Sequence, residues 1–209
     1  MENSKMQFFI TATGTDIGKT FILEKICRKL IKDGQKIDAI KPIISGFKDD
    51  DPNSDSAKIL KILGQDLTKN NLDKISPYRF SAPLSPNIAA ALEHKNIDFS
   101  ELIKFCQDKI IEAKKNNNYL FIEGAGGVMT PVNDHKTFAD LIFELKIPAI
   151  LVTGNYVGTI SHTLTTIKAL QAHNIEIAQI IFNCKDSKIG AAENIKTLRN
   201  FTDVEIIDD

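Results

Sequence analysis

The feature that most narrows what this chain can fold into is a three-part order near its start: an apolar run, a short Gly- and Thr-rich turn, and a helix-period stripe. Met6 to Ile10 reads as a buried strand. The turn carries Thr13-Gly-Thr-Asp-Ile-Gly-Lys-Thr20, and from Lys19 to Asp33 apolar residues recur at Ile22, Leu23, Ile26, Cys27, Leu30 and Ile31. Gly34 then supplies a helix stop. A strand that turns straight into a helix aims backbone N–H groups and the helix's partial positive charge at one point, which suits a polyphosphate. Lys19 can reach the outer phosphates, and the Thr20 hydroxyl can ligate Mg²⁺. The usual phosphate-loop pattern has Gly five residues before Gly18, where this chain has Thr13.

The rest of the chain repeats the alternation. Lys36 to Ile44 reads as a second strand ending near Pro42, and Asp49 to Asp55 as a polar loop before a short helix that runs to about Leu63. Lys69 to Pro86, rich in Asn, Ser and Pro, reads as an extended loop, and Ile88 to His94 as a helical turn. Asp98-Phe-Ser-Glu101 resembles a capping box opening a long helix to about Lys115. Strands follow at Tyr119 to Ile122, Pro148 to Val152, Ile177 to Phe182 and Val204 to Ile207. Helices fall at Thr137 to Leu145, Gly158 to Ala172 and Ile189 to Phe201, with Thr137 as an N-cap. Such alternation predicts an α/β fold: a mostly parallel sheet with helices on both faces, like that of phosphate-loop nucleoside triphosphatases, in a single domain over residues 1–209. Hydrophobic residues at 43% with 25% charged residues suit such a domain.

In sheets of this kind ligands sit at the carboxyl ends of the strands, and chemically capable residues collect there. Beyond the Gly-Lys-Thr turn, Lys41-Pro-Ile-Ile-Ser-Gly46 places a lysine and Ser45 past the second strand. A cation there can stabilise the charge that develops during phosphoryl transfer, although a surface lysine is the plainer reading. Glu123-Gly-Ala-Gly-Gly127 sets a carboxylate at a strand end, placed to hold Mg²⁺ directly or through water. Thr153-Gly-Asn-Tyr-Val-Gly-Thr159 leads into another helix start, a second potential anion site. Asn183 follows Ile180-Ile-Phe and has an amide able to pair with a base edge. Asp55 lies in the loop after the second strand. The nearby acidic run Asp49 to Asp51 reads as a solvated loop, and His94, His135, His162 and His173 show no ligand spacing.

Composition excludes several classes. A net charge of −1 gives no general attraction to nucleic acid or to an anionic membrane. Met1 to Lys5 is polar and the apolar run after it is too short for a signal peptide, and no segment approaches a membrane span. A cytoplasmic protein is therefore expected. Cys27, Cys106 and Cys184 are too scattered for a disulfide framework or a CxxC metal site.

Taken together these stretches resemble the dethiobiotin synthetase family. In family order stand Thr13 to Thr20, Lys41 to Gly46, Asn53-Ser-Asp55, Pro77-Tyr-Arg-Phe80 running into Ala82-Pro-Leu-Ser-Pro-Asn87, Glu123 to Gly127, Thr130-Pro131, Thr137-Phe-Ala-Asp140 and Asn183. The resemblance implies ring closure of 7,8-diaminopelargonate with CO₂ (or bicarbonate) and ATP, through a carbamate and a carbamic–phosphoric anhydride. Lys19 and Lys41 would flank the carbamate and γ-phosphate, while Thr20, Asp55 and Glu123 would hold Mg²⁺. The nucleotide site it implies comprises Asp16, Ile17, Gly18, Lys19, Thr20 and Phe21, then Asp55, Glu123, Gly124, Ala125 and Gly126, with Asn183 reading the adenine. Thr15 and Ser45, with Lys41, would meet the diamine. Val157, Gly158, Thr159, Ile160 and Ser161 would grip the substrate's distant carboxylate across the interface of a homodimer.

Some positions depart from the family pattern: Ala12 replaces a usual Gly, where its methyl is expected to tighten the turn, and Asp16 replaces a frequent Glu. The family's Pro-containing loop after the last strand has no counterpart before Asp209, which bears on how the base is enclosed. A partition-type ATPase of the related deviant group is the main alternative, but its signature lysine would fall at Gly14. A non-catalytic nucleotide-binding module is the other, and Lys41 and Ser45 beside Glu123 speak against it.

Overall fold

The apolar runs pair side by side and point the same way. In the computed structural model, which describes residues 6–49, 51–184 and 189–209, six strands form one parallel sheet: β1 (Gln7–Ala12), β2 (Ile37–Ile40), β5 (Tyr119–Glu123), β6 (Ala149–Gly154), β7 (Ile177–Asn183) and β8 (Ile206–Asp208). Their order is β2-β5-β1-β6-β7-β8, so β1 lies inside the sheet with β5 and β6 on either side. Phe9, Ile10, Leu120, Ile122, Leu151 and Val152 are buried, as expected of strands covered on both faces. Each such side chain contributes about 1.5–3 kcal/mol relative to an exposed one.

Helices α1 (Lys19–Lys32), α5 (Phe99–Asn116), α6 (Phe138–Leu145), α7 (Thr159–Ala172) and α8 (Ala191–Arg199) connect the strands. Helix α1 buries Ile22, Leu23 and Cys27 from the stripe read in the sequence. Asp98 caps α5 by accepting from the N–H groups of Ser100 and Glu101. A reciprocal capping box forms at Thr137 and Asp140, where each side chain bonds the other residue's backbone N–H.

Two expectations need correction. The run Lys36 to Ile44 is two strands: β2 stops at Ile40, and β3 (Ile43–Ser45) pairs with β4 (Tyr78–Phe80) in a separate two-stranded sheet. Pro42 has no N–H for a ladder. On either side the backbone turns to other partners, with Lys41 N–H donating to Ile75 O and Tyr78 N–H to Pro42 O. The stretch Lys69 to Pro86 also contains order that its composition hid. Thr68 caps α3 (Lys69–Ile75), which buries Leu72 and Ile75. Then come β4 and, from Pro86, α4 (Pro86–Leu92). Helix α2 (Asp55–Ile62) is capped by Ser54, whose hydroxyl accepts from Ala57 N–H. Met1 to Lys5 and Asp50 of the acidic run lie outside the described residues.

Candidate active site

The site begins where β1 hands over to α1. Gly18 occupies the N-cap with φ 96°, a left-handed conformation that glycine adopts readily, and no side chain caps the helix start. A Cβ on Gly18 would lie 2.2 Å from Nδ2 of Asn183, so the close approach of β7's end also requires glycine. That amide donates to Ile17 O at 2.9 Å and fastens the turn to the end of β7. Ala12 does not belong to the turn: it is the last residue of β1, fully buried and opposite Val152. The expected tightening of the turn by its methyl therefore gives way to ordinary core packing.

A cavity of about 850 Å³ opens over these strand ends. It gathers Thr15, Asp16, Gly18, Lys19, Thr20 and Phe21 from the turn and α1, Lys41 from the break between β2 and β3, Ser45 from the end of β3, and Asp55 from the start of α2. Glu123, Ala125 and Gly126 come from the end of β5. Residues given no site role from sequence line it too: Lys58, and the motif stretches Pro83 to Pro86 and Thr130-Pro131. Lys58 could have been found, because it lies one helical turn beyond Asp55. Of the remaining site candidates, Ile17 and Gly124 form the scaffold behind the wall, Gly124 so close to Phe9 that a Cβ would come within 3.0 Å of its ring. Val157 to Ser161 are not among the residues that line the cavity. They lie at the start of α7, with Val157 fully exposed and the Thr159 hydroxyl donating to Gly154 O at 2.5 Å.

Charge is concentrated and paired. Lys41, at the Pro42 break, bonds Asp55 and reaches Oε1 of Glu123 at 2.7 Å. Thr20 Oγ1 donates to the same Oε1 at 2.7 Å. Lys19 Nζ donates to Gly126 O at 2.6 Å and to Gly14 O at 3.2 Å. Burial lowers the Lys19 pKa to about 8 against the partial support of Glu123, with Lys41 pushing the same way as burial. Burial opposes charge on Lys41 as well, but Glu123 and Asp55 outweigh it and raise its pKa. Burial likewise disfavours the Asp55 carboxylate, and Lys41 more than offsets this, so its pKa is lowered. Two buried polar atoms of the cavity's residues, Ser45 Oγ and Glu123 Oε2, have no hydrogen-bond partner. Such orphans are costly in a protein interior unless a ligand completes them.

The donor set fits Mg²⁺: a hydroxyl at Thr20 and carboxylates at Asp55 and Glu123, one of whose oxygens is buried and unpaired. Among the described residues no group of three or more His, Cys, Asp and Glu side chains could hold a metal. A cation here would therefore draw its further ligands from phosphate and water, as Mg²⁺ commonly does.

Residues 6–207 match the family model described as an AAA domain. An ATP-dependent dethiobiotin synthetase of Caulobacter vibrioides is 40% identical over 174 residues, covering 83% of this chain and 77% of the relative. One from Francisella tularensis subsp. holarctica is 39% identical over 198 residues, covering 94% and 88%. Among solved structures, the signal recognition particle receptor FtsY of Elizabethkingia anophelis, in complex with GDP, superposes with a TM-score of 0.57 at 12% identity. The match covers 99% of this chain but 57% of that one, and at this identity it speaks for the fold alone.

Proposed function

The chain belongs to the dethiobiotin synthetase family, and from that premise we propose that it closes 7,8-diaminopelargonate with CO₂ into dethiobiotin while splitting ATP to ADP and phosphate. It is an ATP-dependent ligase of the biotin pathway. The observation that carries the finer reading is one cavity holding two buried lysines, a buried carboxylate and the unpartnered Ser45 hydroxyl.

One amine of the substrate adds to CO₂, losing a proton to give a carbamate. A carbamate oxygen then attacks the γ-phosphorus, and ADP leaves. The second amine attacks the carbonyl carbon of the resulting mixed anhydride, loses its proton and expels phosphate, which closes the five-membered ring. Lys41 and Lys19 lie on opposite sides of Glu123's strand end and would neutralise the charge shared by carbamate and γ-phosphate. Thr15 and Ser45 would orient the diamine, Ser45 by giving its free hydroxyl a partner. The N–H groups from Asp16 to Phe21 at the start of α1 would wrap the phosphates. Ala125 and Gly126 would bring backbone close to the ligand, with Gly124 packed behind them on Phe9, and Asn183, beside Gly18, would lie on the adenine side. Mg²⁺ held by Thr20, Asp55 and Glu123 would draw the phosphate oxygens together and offset their charge.

A homodimer belongs to the same proposal. Val157 to Ser161 do not line the cavity of their own chain, and the exposed helix start they form is suited to receive a carboxylate from a second copy's substrate. So does a cytoplasmic setting: among the described residues no helix is long and apolar enough to cross a membrane. The test is to incubate the purified protein with diaminopelargonate, bicarbonate, ATP and Mg²⁺, following ADP and dethiobiotin together. Equimolar formation of both is expected, and ATP turnover indifferent to the diamine would refute the reading.

A further inference from the structure

Lys41 fills the place between two carboxylates that a divalent cation would take. Its ammonium bonds Asp55 and Glu123, and Oε1 of Glu123 also accepts from Thr20, so the lysine sits within the set of groups that fit Mg²⁺. Glu123 is fully buried, and its Oε2 has no hydrogen-bond partner. A carboxylate so placed demands a nearby positive charge, because an uncompensated buried ion is strongly unfavourable. Of the cavity's other cations, Lys19 bonds the carbonyls of Gly14 and Gly126, and Lys58 lies 4.0 Å from the other oxygen of Asp55; neither forms an ion pair with Glu123.

A divalent cation placed between Asp55 and Glu123 would repel the Lys41 ammonium at close range. We infer that Lys41 is an internal counter-ion that closes the metal site of the unliganded protein, so that metal entry and release of Lys41 toward the transferring phosphoryl group are one event, driven by nucleotide. This rests on the proposed ligase reading. The bridge holds Glu123 and Asp55 in place for the metal while denying it to a metal ion arriving alone. A nucleotide supplies what changes the balance, since its phosphates ligate the metal and also offer the displaced ammonium new acceptors.

The consequence runs against the usual effect of removing an active-site residue. Without the ammonium, Asp55 and Glu123 lose the positive charge they share, so Lys41→Met should bind Mn²⁺ alone about tenfold or more tightly than the wild type. Lys41→Arg, which keeps the charge, should stay weak. Titration of Mn²⁺ into each protein, read by loss of the free-ion electron paramagnetic resonance signal, measures this without any turnover. Equal Mn²⁺ affinity in wild type and Lys41→Met, or an Arg variant as tight as the Met one, would overturn the inference. A second measurement needs no variant. In ¹⁵N-lysine-labelled wild type, the Lys41 side-chain ammonium resonance should shift when Mg²⁺ and a non-hydrolysable ATP analogue saturate the site. A resonance unmoved at saturation would also overturn it. Neither readout depends on dethiobiotin being made, so failure of the counter-ion idea and failure of the ligase reading are separable.

Discussion

Two helix starts on neighbouring strands use the same backbone device for different ends. Helix α1 follows β1 with Gly18 at φ 96°, and α7 follows β6 with Gly158 at φ 94°; neither start is capped by a side chain. β1 and β6 are adjacent in the sheet, so the two N-termini open on the same edge. Around Gly18 stand buried lysines, a buried glutamate and a cavity. Behind Gly158 stand hydroxyls: Thr153 Oγ1 lies 2.7 Å from Thr163 Oγ1 and 3.2 Å from Thr159 Oγ1. The comparison teaches that a helix N-terminus offers a place for an anion, while the charges mounted round it decide whether bonds to that anion are made and broken. A turn with compensating lysines can handle a polyphosphate in reaction. One with neutral hydroxyls is suited to holding a single negative charge still.

The sharpest way to break this contrast is to remove charge from the first site. Lys41→Ala should lower turnover by about 10²–10³-fold, the range found for deleting a donor that stabilises developing charge. Circular dichroism should still report the native fold, and unchanged turnover would take Lys41 out of the chemistry. Next come the glycines. Gly18→Ala imposes an unfavourable left-handed alanine and drives its Cβ into Asn183, so a loss of about 2–3 kcal/mol in stability with severe loss of ATP binding is expected. Gly158→Ala meets only the His162 ring at 3.5 Å and should cost about 1 kcal/mol, leaving ATP affinity nearly intact. Thermal unfolding and nucleotide titration on both variants would check the difference; equal damage to ATP binding would erase it.

A smaller effect should appear with pH. Lys19 has its pKa lowered to about 8, so the unliganded protein loses this positive charge as pH rises through that value. The value of kcat/KM for ATP should therefore fall several-fold between pH 7 and 9, reporting the free protein. Stability has the opposite sign. Between pH 8 and the ordinary lysine value near 10.5, the unfolded chain binds more protons at this position, so Lys19's contribution becomes less unfavourable as pH rises. A flat kcat/KM profile across this range would mean that Lys19 does not meet the phosphates as a cation.

Much of this was legible in the sequence, for definable reasons. The α1 stripe, the Thr137 cap and the buried strands are local patterns, and local patterns survive without tertiary information. Thr20, Lys41 and Glu123 were readable as candidates because each lies next to a strand end or helix start, whereas Asp55 reads as part of a polar loop and gained its role only through the family resemblance. What escaped was set by distant partners. Ile43 to Ser45 looks like a continuation of β2, and only pairing with Tyr78 to Phe80 makes it a separate strand. Helix α3 was hidden because its polar face, Lys69-Asn-Asn, dominates the composition while Leu72 and Ile75 do the packing. Pro83 to Pro86 line the cavity by position in space, which proline spacing does not announce; in the sequence they stand only as part of a family motif.

The position of β1 in the sheet has a consequence for how the molecule comes into being. Gln7 pairs with Leu120, and Phe9 with Ala149, so among the described residues the strand that launches the phosphate turn pairs with no strand from the first hundred residues. During synthesis Gly18 and Lys19 leave the ribosome before β5 and β6, and the sheet that holds them at their angle cannot close until those strands follow. Such long-range parallel pairings carry a loop-closure cost before they return any stabilisation, which slows folding. The binding turn is made first and set last.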